Sequence, residues 1–224
     1  MCGRFSLTTS AEQISAILPE LVFETELEPR YNIAPTQEIA AVCNDGRLAL
    51  TRLRWGLIPS WAKDANIGNR MINARAETLA DKPSFRTPLK RRRCLILADG
   101  FYEWKAIRDQ KAKQPYYIRL KTGGVFAFAG LWDSWRSPEG GDIRTATIIT
   151  TRPNAVVAEL HDRMPAILRS EDYERWLDPA DREAGDMLEC LGPYSAEAME
   201  AYAVSTRVNR PGVDEPACVD SVEH

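Results

Sequence analysis

Cys94-Leu95-Ile96-Leu97-Ala98-Asp99-Gly100-Phe101-Tyr102-Glu103-Trp104 decides how this chain folds. The five residues 94–98 form an apolar run short enough for a buried strand, and Asp99-Gly100 breaks it before an aromatic segment. Further strands are predicted at 116–120, 125–132 and 143–150, the first two of these separated by Thr122-Gly123-Gly124. Upstream, 38–43 and 47–54 read as a β-hairpin around Asn44-Asp45-Gly46. Residues 2–8 and 201–205 read as strands, and 165–168 as a short one. Helices are predicted at 11–18, opened by the capping-box spacing of Ser10 and Gln13 and ended by Pro19, and at 154–160, 171–177 and 181–190. Residues 19–37 read as an ordered loop and 62–92 as irregular with short helical pieces. Strands outnumber helices until the last third, and no long βαβ alternation appears. The expected fold is α+β: one domain over 1–224, with a mainly antiparallel, curved or barrel-like sheet, peripheral helices and an acidic tail at roughly 211–224.

A chain of 224 residues with 44% apolar and 27% charged residues has the composition of an ordinary globular protein with a sizeable core. No stretch approaches the ~18 apolar residues of a membrane span, and no basic-then-apolar leader pattern opens the chain. A cytoplasmic monomer is the expectation. Cysteines at 2, 43, 94, 190 and 218 are scattered and form no C-x-x-C pair, which argues against a disulfide framework and against a zinc site. No metal or cofactor is expected. Cys43 and Cys94 read as small buried hydrophobes.

The net charge of −3 hides an asymmetry. Residues 47–119 hold 17 Lys and Arg against 6 Asp and Glu, whereas 171–224 hold 4 against 14. The basic middle fits an anionic partner, and the acidic end a solvated region. Lys90-Arg91-Arg92-Arg93 is either part of that basic face or a solvated helix end before a strand. Trp55, Trp61, Phe101, Tyr102 and Trp104 lie within or beside the basic segment, with Arg52, Arg54, Arg70, Arg75 and Arg86. Aromatic platforms among arginines suit single-stranded nucleic acid, since bases stack on rings while phosphates meet cations. The plainer reading makes at least half of these tryptophans core residues.

Four residues carry candidate chemistry. If Met1 is removed, Cys2 presents an α-amine (ordinary pKa ~7.7–8.0) and a thiol (~8.5) on neighbouring carbons. Such a 1,2-aminothiol captures an aldehyde twice, first as an imine and then as a closed thiazolidine. The alternative is a plain residue on a frayed terminus. His161, one of two histidines and the only internal one, lies between a helix and an extended Met-Pro segment and is a candidate proton carrier, or a structural histidine bonded to backbone. Glu103 sits among aromatics, where an apolar setting would raise its pKa and make it a general acid; strict alternation would instead point it at solvent. Asn73, Arg75 and Glu77 at spacing two share one face if extended. Asn73 could hold a sugar or carbonyl oxygen, or could simply cap a short helix.

Taken together, Cys2-Gly3-Arg4-Phe5, Arg30-Tyr31-Asn32-Ile33-Ala34-Pro35-Thr36, Arg54-Trp55-Gly56-Leu57-Ile58-Pro59, Asn73-Ala74-Arg75-Ala76-Glu77-Thr78 and Ala98-Asp99-Gly100-Phe101-Tyr102-Glu103-Trp104 resemble the SOS response-associated peptidase family. So do Phe128-Ala129-Gly130-Leu131-Trp132, His161-Asp162-Arg163-Met164-Pro165 and Val204-Ser205-Thr206-Arg207-Val208-Asn209. The blocks run in family order over nearly the whole chain. Leu97 and Ala166 depart from the family's usual proline and valine, and the acidic last dozen residues match nothing. The resemblance implies covalent shielding of abasic sites in single-stranded DNA through Cys2, with Asn73, Glu103 and His161 as its companions. It also implies lyase-like Schiff-base chemistry and autoproteolytic exposure of the cysteine. Arg4, Trp55, Arg75 and Trp104 match positions that contact phosphates or stack bases. Two other readings stand beside this one: a thiol peptidase using Cys2, His161 and Glu103, and a non-covalent reader of modified bases.

Overall fold

Two β-sheets share the chain, and the Asp99-Gly100 step passes it from one to the other. The computed structural model describes residues 2–107 and 112–222. In chain order its first half holds β1 (Phe5–Leu7), α1 (Ala11–Ile17), β2 (Val22–Phe23), β3 (Arg30–Ile33), β4 (Glu38–Cys43), β5 (Ala49–Trp55), β6 (Asn73–Arg75) and α2 (Pro83–Arg91). Then come β7 (Arg93–Ala98), β8 (Gly100–Lys105), β9 (Gln114–Leu120), β10 (Phe126–Arg136) and β11 (Asp142–Thr151). Last are α3 (Ala155–Ala158), β12 (Met164–Pro165), β13 (Ile167–Leu168), α4 (Tyr173–Leu177), α5 (Ala184–Leu188) and β14 (Met199–Ala203).

The antiparallel order β11-β10-β7-β4-β5 closes on itself through a parallel β5–β11 pairing, Arg54 opposite Thr145 and Trp55 opposite Ala146. The result is a five-stranded barrel that leaves no edge along those strands. Every residue of β7 is buried, which is why 94–98 reads as an unbroken apolar run rather than an alternating one. The second sheet is open, in the order β14-β9-β8-β1-β3. Gly100 permits the transfer between sheets, because a Cβ there would lie 2.1 Å from the Tyr117 ring. Phe5 from the open sheet meets Trp55 and Phe128 of the barrel edge-to-face, with centroids 5.1 and 5.7 Å apart, and Phe101 meets Phe128 likewise. One core thus joins both sheets in a single α+β domain, and each of these buried aromatics contributes on the order of 2–3 kcal/mol.

The helices are short and peripheral. Ser10 and Gln13 form the predicted capping box of α1, and Asn154 accepts from the Val157 amide to cap α3. Three segments depart from the sequence expectation. Residues 19–37 are not a loop throughout, since β2 pairs with β5 and β3 with β1. Within 62–92, β6 lies parallel to β11, and α2 runs nine residues with Pro83 at its start. The acidic segment at 211–222 is docked onto the fold, although Asp214 and Asp220 stay exposed. The Asp214 carboxylate accepts from the backbone amides of Tyr31 and Asn32 and pairs with Arg30, Cys218 is buried, and Val204 bridges to Ser221.

The Lys90–Arg93 run is also no free anion site. Arg93 is fully buried and donates to the carbonyls of Leu89, Lys90, Trp176 and Asp178. These are orphan acceptors at the ends of α2 and α4, where a cation is favoured. Arg91 and Arg92 pair with Asp181 and Asp133.

Candidate active site around Cys2

Cys2 sits just before β1 and is fully buried. Asn73, the first residue of β6, donates its side-chain amide to the Cys2 carbonyl at 2.8 Å. Strand β6 takes that position because it pairs with β11, Asn73 opposite Ile148. Asn73 is therefore the start of a strand and not a helix cap. Its Oδ1 is buried and accepts no hydrogen bond among the described residues. The Cys2 thiol lies 4.0 Å from the Arg4 carbonyl. Burial pushes that thiol well above its ordinary value, and the Glu103 charge pushes it further.

Glu103 lies in β8, opposite Tyr116 of β9, and is 2% exposed. Alternation turns it inward together with Phe101. Burial lifts its carboxyl to about 7, against the positive charge of the chain's amino terminus. Asp162 raises Glu103 and His161 alike, and Lys113 lowers both, which places the imidazole and the carboxyl in one electrostatic neighbourhood.

His161 follows α3, its backbone amide donating to the Val157 carbonyl at 2.8 Å. Its Nδ1 accepts from the Arg163 backbone amide at 3.0 Å and lies 2.8 Å from an Asp162 carboxylate oxygen. One nitrogen cannot serve both partners. The neutral ring accepts from Arg163 and carries its proton on Nε2, whereas the protonated ring donates from Nδ1 to Asp162. Burial first, then the positive chain terminus, lower the His161 pKa and favour the neutral form.

The four residues expected at a DNA surface divide. Arg75 is exposed at the end of β6, with no side-chain hydrogen bond or ion pair among the described residues. Arg4 donates to Asn32 Oδ1 at 2.7 Å and to the Val208 carbonyl at 2.6 Å. Its guanidinium lies over the Trp104 ring, 5.9 Å from the centroid, and Trp104 Nε1 donates to Asn209. Arg4 and Trp104 thus form one half-buried unit tied to the C-terminal segment. Trp55 is a correction: it is fully buried, its indole donates to the Ile72 carbonyl, and it offers no face for a base. The exposed indole is Trp61, at 59% exposure, beside a groove of about 510 Å³ that Lys63, Asn66 and Arg70 also line. Arg54 adjoins Trp55 just as Lys63 and Asp64 follow Trp61, so no local signal in the sequence separates the exposed indole from the buried one.

Sequence reading also missed that Glu77 and Arg163 meet. Arg163 donates both terminal nitrogens to the Glu77 carboxylate at 2.7 and 2.8 Å. Among the described residues no cluster of three or more His, Cys, Asp or Glu forms a metal site.

The comparisons with known proteins agree over nearly the whole chain. Residues 1–211 match the model of the SOS response associated peptidase (SRAP) family. The chain is 49% identical over 224 residues to the abasic site processing protein YoqW of Bacillus subtilis, covering 99% of this chain and all of that one. It is 30% identical over 267 residues to the abasic site processing protein HMCES of Gallus gallus, covering all of this chain and 78% of that one. A crystal structure of a protein from Bacteroides thetaiotaomicron superposes with a TM-score of 0.89 at 28% identity, covering 99% of this chain and all of that one. With its motifs in order and its fold shared, the chain belongs to the SOS response associated peptidase family.

Proposed function

We propose that this protein captures abasic sites in single-stranded DNA as a covalent thiazolidine on Cys2 once Met1 has been removed. The observation that carries the reading is the convergence of three residues distant in sequence: Asn73 holds the Cys2 carbonyl, and the buried Glu103 carboxyl lies close enough for its charge to act on the Cys2 thiol. The relatives named for abasic site processing give the substrate class.

In this scheme Glu103, whose carboxyl burial lifts to about 7, donates to the ring oxygen of the closed deoxyribose and favours the open aldehyde. The Cys2 amine adds to the aldehyde carbon, and water leaves as the imine forms. The thiol sulfur then adds to the same carbon while its proton passes to the nitrogen, closing the ring. The net change is the loss of one water. The buried Asn73 Oδ1, an acceptor without a partner among the described residues, receives the Cys2 amine or a sugar hydroxyl. Neutral His161 offers its Nε2 proton to the sugar and takes it back when the ring reopens. Arg75 meets a phosphate, and Trp61 stacks a base. The raised thiol pKa fits this order, since the amine attacks first and a neutral thiol suffices until the imine is formed.

Selective acetylation of the amine of the Met1-free protein tests the proposal. An aldehyde trap loses all stable adduct, whereas a thiol peptidase retains hydrolysis of a peptide substrate, and that second outcome would replace the trap with the peptidase reading.

A further inference from the structure

Strand β11 runs between two flanks of the site. On one side β6 carries Asn73 and Arg75, with Arg75 opposite Thr150. On the other side β12 follows directly from His161-Asp162-Arg163, with Pro165 opposite the same Thr150. The Arg163 side chain crosses the end of β11 between them. Nη2 donates to the Thr150 carbonyl at 2.6 Å and also to one Glu77 carboxylate oxygen, while Nη1 donates to the other; Glu77 lies just beyond β6. The guanidinium side chain is 12% exposed, although Glu77 is 52% exposed. The backbone amide of the same Arg163 donates to His161 Nδ1. A single residue therefore touches the Asn73–Glu77 segment with its side chain and the His161 ring with its backbone.

From this arrangement we infer that Glu77 and Arg163 are a positioning pair, a clamp that holds the His161 turn in register with the Asn73–Arg75 strand and fixes the imidazole with its Nε2 proton toward Cys2. The inference rests on the proposed function for its catalytic consequence and on the hydrogen bonds alone for its structural one. An exposed surface ion pair contributes little to stability and orders little. A bidentate pair with a largely buried guanidinium that also binds a main-chain carbonyl is a more restrictive joint. Imidazoles are commonly oriented in this way, by the bond made at the nitrogen that does not face the reaction.

The test uses Glu77→Gln, which keeps the shape and removes the charge, and Arg163→Lys, which keeps the charge and loses the fork. The ¹⁵N spectrum of the two histidines reports the tautomer directly, and His161→Asn assigns the signals. The clamp predicts a single Nε2-protonated tautomer in the unsubstituted protein and a mixture in both variants, with unfolding midpoints little changed. Single-turnover crosslinking at saturating abasic oligonucleotide should fall about tenfold in each, and the double variant should fall no further than the worse single one, as for contacting residues acting as a unit. Unchanged histidine spectra in both variants would overturn the inference, and so would rate losses that multiply. If the unsubstituted protein forms no adduct, the proposed function fails, and the histidine spectra alone decide the clamp.

Discussion

Replacing Glu103 with glutamine should make the protein more stable at high pH while removing its chemistry. The carboxyl is 2% exposed, and burial moves it from an ordinary value of 4.5 to about 7. At about 1.4 kcal/mol per tenfold change in proton affinity, the ionised form is held at a cost of about 3 kcal/mol. A carboxyl whose folded value lies above its unfolded one binds its proton more tightly in the fold. Its contribution to stability is complete below pH 4.5 and is lost as the pH rises through 7. Glutamine mimics the neutral acid at every pH. Glu103→Gln should therefore match the parent at about pH 4.5 and exceed it by up to about 3 kcal/mol at about pH 8.5. Urea unfolding followed by tryptophan fluorescence at both pH values measures the difference. In the same samples single-turnover crosslinking should fall ~10²–10⁴-fold, the usual contribution of a general acid. In the parent, the acid-dependent step should slow above about pH 7, as Glu103 loses its proton. A variant whose advantage over the parent is no greater at high pH than at low pH would refute the buried, raised carboxyl, and with it the acid role.

Three further outcomes follow from the packing. Trp55→Ala should cost about 3–5 kcal/mol of stability, whereas Trp61→Ala should leave the melting temperature alone and weaken single-stranded oligonucleotide binding by about 1–3 kcal/mol, as read by thermal melts and fluorescence anisotropy. Arg93→Met strips donors from four carbonyls at the ends of α2 and α4. It should cost at least about 1–3 kcal/mol in denaturant titrations, the desolvation penalty of a buried carbonyl left without its donor, whereas Arg91→Ala in its exposed pair should change little. Asp214→Ala leaves the amides of Tyr31 and Asn32 without their acceptor, so it should cost about 1–3 kcal/mol and speed hydrogen exchange across β3.

What the sequence made legible was local. The apolar run at 94–98, the hairpin around Asn44-Asp45-Gly46 and the Ser10 and Gln13 capping box each announce themselves within a few residues, and each forms as read. The parallel pairing of β5 with β11 that closes the barrel joins residues about ninety positions apart, and no local pattern encodes it. Strands β2 and β3 are two and four residues long and lie in a proline-punctuated acidic stretch, too short for alternation to register. Charge was the least reliable guide. Arg93 looked like part of a cationic surface, but it is a buried hub for helix-end carbonyls, and Asp214 looked like a solvated tail residue but binds the backbone of β3. Composition reports how many charges a segment holds, whereas burial depends on which carbonyls and amides the fold leaves without partners. Trp55 and Trp61 make the same point for aromatic rings, since six residues separate a core side chain from an exposed one.

The central claim is that Cys2 bonds covalently to an abasic sugar. Intact mass spectrometry of the purified protein, alone and after incubation with a single-stranded oligonucleotide carrying one abasic site, addresses it most directly. The account predicts a protein lacking Met1 and an adduct equal to protein plus oligonucleotide less one water, absent in Cys2→Ala. A Met1-free protein that forms no adduct, or an adduct that persists in Cys2→Ala, would contradict it.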